Sequence, residues 1–418
     1  MKDWASGACR AKQRRAWCWA LLALMPLMVP VLATAQEDLP STLTLHEAQQ
    51  LALSEAPEVV LSTARASTAR TEVGVAGMFP NPQLTVGSTS GSANYYGSFF
   101  IALPIFGQRA AAMDAAEAQA RVVAAGVEVT RLDARLAATL AWLDLWQLQE
   151  EFLIATNNAL RRDRILDTAK ARFSEGAAPR LEVLRAETDA RRARSVVASL
   201  EKQRSAAAAR LSVLLSRNEP LIVAIEGEPG TPYSPPSVAA LEGFVSDHPL
   251  TQRAHGMLDA AHAIVIREQR ARRPSLGVQV SGAFDVRFGP PTRDVQASLK
   301  ADLPFFNHPL IARAQSAQTT ALTELETVVI QLRARMVSAL SDYLAAVRRQ
   351  AAEVTQVLPA AKEAADLSDE AYQSGGLDLT GVLAAEQALS DARLAAVRAT
   401  ADRGRALGVL EHAAGRSL

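Results

Sequence analysis

The chain repeats its own pattern 200 residues later. Leu103-Pro104-Ile105-Phe106 returns as Leu303-Pro304-Phe305-Phe306, and apolar residues follow each copy at heptad spacing. A 3.5-residue period over four heptads predicts coiled-coil packing of long helices in both halves. The first series is Val122, Val129, Leu136 and Leu143, with Ala125, Leu132, Thr139, Trp146 and Leu153; the second is Leu322, Val329, Met336 and Tyr343, with Leu325, Leu332, Ala339 and Ala346.

Each half is predicted to contain a long helical hairpin. No proline interrupts the chain between Pro104 and Pro179, so one helix is expected over about Gln108–Phe173. It should end at the Gly- and Pro-containing segment before Leu181, where a second helix begins and runs to about Ser216. The same turn returns near Tyr372, and Pro359 is expected to kink the helix that precedes it.

Two strand candidates lie upstream of each hairpin: Asn81–Gly91 with Asn94–Leu103, and Ser275–Val286 with Thr292–Leu303. Their alternation predicts β-strands, and about ten residues is the length of a tilted transmembrane strand. The strand pattern alone favours the alternative, a pair of soluble hairpins on a small sheet. The candidate interfacial aromatic residues are Tyr95, Tyr96, Phe99, Phe100, Phe305 and Phe306.

The remaining sequence features divide the chain into a signal peptide, two structural repeats and a linker between them. Residues 1–35 have a basic start, an apolar stretch and Ala33-Thr34-Ala35, which predicts a cleaved signal peptide; a membrane anchor is the alternative. We expect a first structural repeat at 36–217, a Pro-rich linker at 218–237 and a second repeat at 238–418. A shorter helix precedes the strands in each repeat. The first has a capping box, Thr44 with Glu47, and the second spans about Val238–Arg272.

Composition and motifs argue against several functions. Lys plus Arg and Asp plus Glu each total 44, so a strongly basic nucleic-acid binder is excluded. Cys9 and Cys18 both precede the predicted cleavage site. His46 and Glu47 begin an incomplete zinc-protease motif, and no nucleophile elbow or phosphate-binding loop occurs, so no catalytic site and no cofactor are expected. His248, His255 and His262 are interpreted as exposed polar positions, since seven residues of helix separate them by about 10 Å.

The order of helix, two strands and long hairpin, present twice behind a signal peptide, resembles the TolC family of outer-membrane efflux proteins. The landmarks are Leu43-Thr44-Leu45 with Ala56-Pro57, Phe79-Pro80-Asn81-Pro82, the two Leu-Pro-aromatic-Phe strand ends and the two helical turns. Pro304-Phe305-Phe306-Asn307-His308 is most similar to the CzcC-like branch, which serves heavy-metal pumps.

The resemblance implies a mainly α fold with a membrane β-barrel portion: duplicated long helical hairpins plus four transmembrane β-strands per chain, completed as a trimeric α/β-barrel tunnel. It implies a passive duct in the outer membrane of a Gram-negative bacterium, with the helices in the periplasm. The expected partners are two further copies, outer-membrane lipid, a periplasmic adaptor (membrane fusion protein) and an inner-membrane pump of the resistance-nodulation-division type. The cargo is heavy-metal cations, or alternatively drugs or proteins; a periplasmic coiled-coil adaptor without a barrel is the competing function.

In the family, the hairpin tips close the tunnel and meet the adaptor. Acidic side chains often ring the constriction, but Gly381 and Ala384 occupy two of those positions here, and Glu182 holds the matching place in the first half. Solvated helix-end charges are the alternative reading of these groups. The expected gate and docking residues are Arg172, Phe173, Glu175, Gly176, Arg180, Glu182, Asp369, Glu370, Tyr372, Gly375 and Asp378.

Overall fold

The structure is a computed structural model that describes residues 42–89, 94–217, 224–225, 227, 229, 238–285, 292–374 and 376–418. The predicted signal peptide and most of the predicted linker at 218–237 lie outside these residues. Helices and one four-stranded sheet make up the unit Ser41–Leu418.

Four long helical segments dominate this unit. Helix α3 spans Gln108–Ser174 and α4 spans Arg180–Leu214, close to the predicted bounds. In the second half α7 spans His308–Ala352, α8 spans Leu358–Gln373 and α9 spans Leu379–Ala414. In the described part of the chain, no helix is both long enough and apolar enough to cross a membrane.

Proline divides both shorter helical segments. The first consists of α1, Leu45–Glu55, and α2, Pro57–Ala76, and α1 begins at the predicted capping box of Thr44 with Glu47. The second consists of α5, Val238–Asp247, and α6, Pro249–Ala271, so the prediction of one continuous helix over Val238–Arg272 is wrong. The residue before each proline is extended, with ψ of 133° and 134°, because the proline ring disfavours the helical conformation there.

The irregularity expected at Pro359 is a π-helical turn. This turn covers Glu353–Val357 and joins α7 to α8. A proline inside a helix lacks a donor and its ring clashes with the carbonyl group four residues earlier. The wider π turn lies where that clash would occur, and such turns are frequent at functional sites.

Four of the strands form a sheet in the order β2-β3-β5-β6. Their bounds are Gln83–Thr89, Asn94–Leu103, Ser275–Asp285 and Thr292–Asp302. All neighbours are antiparallel, and β3 pairs with β5 over its whole length. The two hairpins of the two halves are therefore joined directly, with β2 and β6 at the edges.

Register gives the sheet two chemically different faces. One face, here called the apolar face, includes Leu84↔Phe99↔Val280↔Ala297 as neighbours across the four strands. The opposite face, the polar face, includes Gln83↔Phe100↔Gln279↔Ser298. The further large apolar residues of the apolar face are Val86, Tyr95, Ile101, Leu103, Leu276, Val278, Val295 and Leu299.

Two of the candidate interfacial aromatic residues, Tyr96 and Phe100, lie on the polar face. Each ring lies over a glycine of the neighbouring strand: a Cβ atom placed on Gly87 would be 2.4 Å from the Tyr96 ring, and one on Gly277 would be 2.3 Å from the Phe100 ring. The missing side chains make room for the two rings.

The heptad positions form much of the helical core. Leu332, Met336 and Tyr343 on α7 are buried in one cluster with Leu410 of α9. Val122, Leu132, Leu143 and Trp146 of α3 are buried as well. Leu153 and Leu322, at the ends of the two series, are exposed, because a straight helix drifts from a strict seven-residue repeat.

The described ends of the predicted linker pack against the middle of the helices. Strand β1, Thr42–Leu43, pairs in parallel with β4, Ala224–Ile225. The Trp142 indole N–H donates to the Leu43 carbonyl over 3.0 Å, and the Arg403 guanidinium donates to the Pro229 carbonyl. These bonds tie the chain before α1 and the chain after α4 to α3 and α9.

Candidate functional site: the tips of the helical hairpins

The first tip is a tight reversal between α3 and α4. Gly176 has φ of +75°, a left-handed conformation that favours glycine, and the Ala177 amide donates to the Arg172 carbonyl over 2.8 Å. This six-to-one bond is the Schellman motif that ends many helices. A side chain at residue 176 would be strained whatever the surrounding space.

The second tip follows α8. Gly375 lies outside the described residues, but the Gly376 amide donates to the Ala371 carbonyl over 2.8 Å, as the Ala177 amide does at the first tip. Asp378 is the N-cap of α9, and its carboxylate accepts from the Gly381 amide at 2.9 Å. Its oxygen therefore has a structural role in addition to its charge.

Tyr372 connects the two tips. It is 4% exposed and packs in a cluster with apolar residues of α3, α4 and α9. The Arg172 guanidinium lies 4.7 Å from the centre of its ring, a cation–π contact between the hairpins. Its hydroxyl group is buried without a hydrogen-bond partner in the described structure. The other buried members of this tip cluster are Leu166, Ala169, Ala186, Ala190, Leu379 and Val382.

The predicted tip charges occupy different environments. Glu175, Arg180, Asp369 and Glu370 are exposed, as is the Phe173 side chain. One carboxylate oxygen of Glu182 is buried with no partner among the described residues. Within one chain, the contacts between the hairpins at the tips are therefore mainly apolar packing and one cation–π contact.

Above the tips, α3 and α9 are joined by a series of polar contacts that the sequence did not predict, here called the α3–α9 ladder. Residue numbers rise along α3 as they fall along α9, so the two helices are antiparallel. The linked pairs, from the far end toward the tips, are Asp133–His412, Arg135–Glu411, Asp144–Arg405, Glu151–Arg398, Asn158–Ser390, Arg161–Glu386 and Arg162–Gln387.

Some members of the ladder are well shielded. Glu151 accepts from Arg398 at 2.8 Å and its side chain is 7% exposed. The hydrogen bond from Arg398 to Glu151 raises the pKa of the guanidinium. The last ladder contact precedes Phe173 by about 16 Å at 1.5 Å per residue. The polar contacts thus hold the middle of the helices, whereas packing around Tyr372 holds the tips.

The interpretation of His248 as an exposed polar residue is wrong. His248 is 1% exposed and is the N-cap of α6, where Nδ1 accepts from the Leu250 amide at 3.1 Å and Nε2 lies 3.2 Å from the His412 carbonyl. Burial lowers the pKa of this imidazole. The Nδ1 atom of His262 lies 3.3 Å from the side-chain amide nitrogen of Gln318. Across the described residues, no group of three or more His, Cys, Asp or Glu side chains is placed to hold a metal ion.

Comparison with known proteins gives a consistent answer. The model of a family described as "Outer membrane efflux protein" matches residues 48–217. The chain is 24% identical to the cobalt-zinc-cadmium resistance protein CzcC of Cupriavidus metallidurans over 379 residues, which covers 88% of each chain.

Solved structures agree with this match. The Neisseria gonorrhoeae MtrE outer membrane channel, in its open state, superposes with a TM-score of 0.73 at 19% identity, over 90% of this chain and 89% of the other. The outer membrane protein VceC of Vibrio cholerae gives 0.70 at 17% identity, over 89% and 96%. Residues 48–217 therefore match the outer membrane efflux protein family, and the fold of the chain is that of outer-membrane efflux channels.

Proposed function

We propose that the channel is the homotrimeric outer-membrane duct of a tripartite system that exports metal cations. In this proposal an inner-membrane pump supplies the energy, and a periplasmic adaptor docks on the helix tips. The single observation that carries the membrane part is the sheet, which has one exposed apolar face, one polar face and two edge strands without partners in the described chain.

The edge strands β2 and β6 argue for assembly of the sheet from several copies of the chain. Unpaired backbone groups are very costly in lipid, so strands span a membrane only in a closed sheet. Four strands are too few to close around a passage, whereas twelve form a permitted barrel. Two copies would also give a permitted number, eight, so the choice of three copies is supported by the family resemblance. Closing the sheet places the apolar face toward lipid and the polar face toward the passage.

A cysteine crosslink tests the trimer. Because both natural cysteines, Cys9 and Cys18, lie in the predicted signal peptide, pairs introduced by mutation are readily followed. A library combining one cysteine in β2 with one in β6 should yield a trimer band on a non-reducing gel. Ser98→Cys with Ser281→Cys is the matched control, because these partners pair within one chain and should crosslink only as a monomer. Dimers as the largest product would refute the trimer.

The metal cargo is proposed from the named relative. CzcC is called a cobalt-zinc-cadmium resistance protein, and it matches most of this chain. A deletion strain should therefore lose growth on cobalt, zinc or cadmium and regain it with the plasmid-borne gene. Sensitivity to dyes and antibiotics with unchanged metal tolerance would instead assign drug export.

The tips are the proposed gate and adaptor surface. Support comes from their position beyond the α3–α9 ladder, where no described polar contact joins α3 to α9. The adaptor should crosslink to photoreactive groups placed at exposed Glu175 or Arg180, and not to one placed at Arg293 in β6. Crosslinking only at Arg293 would move the docking surface away from the tips.

The competing function, a periplasmic adaptor without a barrel, is not favoured. The four-stranded sheet and the match to channels over nine-tenths of the chain both argue against it. Washing of outer membranes provides a direct check, since an adaptor would be released and an integral channel would stay.

A further inference from the structure

The charged side chains of the sheet are unevenly distributed on the polar face. Strand β6 places Asp294 and Asp302 there. The same face carries one basic side chain in its described strands, Lys300. Arg293, also in β6, belongs to the apolar face, opposite Phe284. The polar face therefore carries a net negative charge, with a single cation to oppose it.

Lys300 is held against the wall of the sheet rather than projecting freely from it. Its ammonium nitrogen lies 5.3 Å from the centre of the Phe100 ring. Phe100 belongs to β3 and Lys300 to β6, so the contact crosses the intervening strand β5. Gly277 of β5, which pairs with Lys300, makes the crossing possible because it has no side chain under the ring.

The position of Lys300 along the strand matters as well. It lies two residues from Asp302, near the end of β6 that leads into the helices. Asp294 lies toward the other end of the hairpin. A cation leaving the helical part would thus meet Lys300 soon after it enters the strand section.

We propose that Lys300, held over Phe100, is the residue that limits the cation selectivity of the strand section. The carboxylates of the polar face attract cations and repel anions, as rings of charged side chains do in other channels. The ammonium group opposes this preference at one level, which keeps anions permeable. The inference rests on the proposed function, since it requires the polar face to line the passage, and it extends that function by assigning cations as the favoured class of solute.

Reversal potentials in planar bilayers test the proposal. Under a KCl gradient, Lys300→Gln should raise the cation-to-anion permeability ratio by about a factor of seven, because removing a unit positive charge within several ångströms of the ion path lowers the energy of a cation and raises that of an anion by about RT each. Lys300→Glu should raise the ratio further, and Lys300→Arg should keep the wild-type value. Arg293→Gln removes a positive charge from the same strand on the apolar face and should change nothing.

The variant Asp294→Asn distinguishes a failure of the role proposed for Lys300 from a failure of the proposed orientation of the sheet. It should lower the ratio if the polar face lines the passage. A shift with Asp294→Asn but none with Lys300→Gln would overturn the role of Lys300 alone. If neither variant shifts the reversal potential, the polar face does not line the passage, and the proposed orientation of the sheet is wrong together with the inference.

Discussion

Replacing Tyr372 by Ala should open the channel tips without unfolding the protein. The ring is 4% exposed and touches apolar residues of three helices, α3, α4 and α9. Truncating a buried aromatic side chain to Ala costs about 3–5 kcal/mol. The lost cation–π contact with Arg172 adds about 0.5–1 kcal/mol, so the three copies of the proposed trimer would together lose about 10–18 kcal/mol of tip packing. Moving a two-state equilibrium from almost closed to almost open requires about 5.5 kcal/mol.

The expected result is a larger single-channel conductance for Tyr372→Ala in planar bilayers, together with greater antibiotic sensitivity of cells. Tyr343→Ala is the matched control, because Tyr343 is 1% exposed in α7, about 40 Å from Tyr372 along the chain at 1.5 Å per residue. It removes the same buried ring far from the tips, so stability should fall while conductance stays at the wild-type value.

Tyr372→Phe sharpens the test. The hydroxyl group has no partner in the described structure, and leaving such a group buried costs about 1–3 kcal/mol. Removing it should therefore stabilise the closed tips and leave conductance at or below the wild-type value. Wild-type conductance for an assembled Tyr372→Ala channel would refute the reasoning, since packing around this ring would then not hold the tips closed.

Other variants probe the tip turn, the ladder and the buried histidine. Gly176→Asp places a side chain at φ of +75° and should abolish export in a folded protein, whereas Gly126→Ala, in an open position of α3, should be tolerated in the same metal-growth assay. Glu151→Ala removes the buried carboxylate that accepts from Arg398 and should lower the melting temperature, while Glu151→Gln, which keeps an accepting oxygen, should lower it less. Burial lowers the pKa of His248 below the ordinary histidine value of about 6.5, so the unfolded chain binds the proton first and stability should fall as pH drops below that value, by at most about 1.4 kcal/mol per pH unit. Melting curves from pH 7.5 to 5 should show this slope in the wild type and a weaker one in His248→Asn; equal slopes would contradict the assignment.

The long helices and the strands could be predicted because local signals agree with the fold. An uninterrupted heptad pattern and a terminal glycine define α3, and alternation defines β5 and β6. The prediction failed at His248, because a histidine before a proline reads locally as a polar residue, whereas its burial depends on α9 packing above it.

The α3–α9 ladder could not be predicted for a different reason. Each contact joins residues more than 220 positions apart, such as Arg161 with Glu386, and each member looks locally like a solvated helix charge. Similarly, alternation assigns Phe100 to a face only once its register with Gln279 is known. The sequence shows which side chains are present, but tertiary packing decides which of them contact each other.

The pairing of β3 with β5 bears on the order of folding. It joins Leu103 to Leu276, so the sheet cannot form until the chain beyond Ser275 has left the inner membrane. The hairpin of α3 and α4 needs only local contacts and can form much earlier, since loop closure favours short separations. A protein that completed its apolar face first would expose it to water while still crossing the periplasm. Here the apolar face, which the proposed assembly turns toward lipid, is completed only after the first helical hairpin is available, when the bilayer and the further copies of the proposed trimer can cover it.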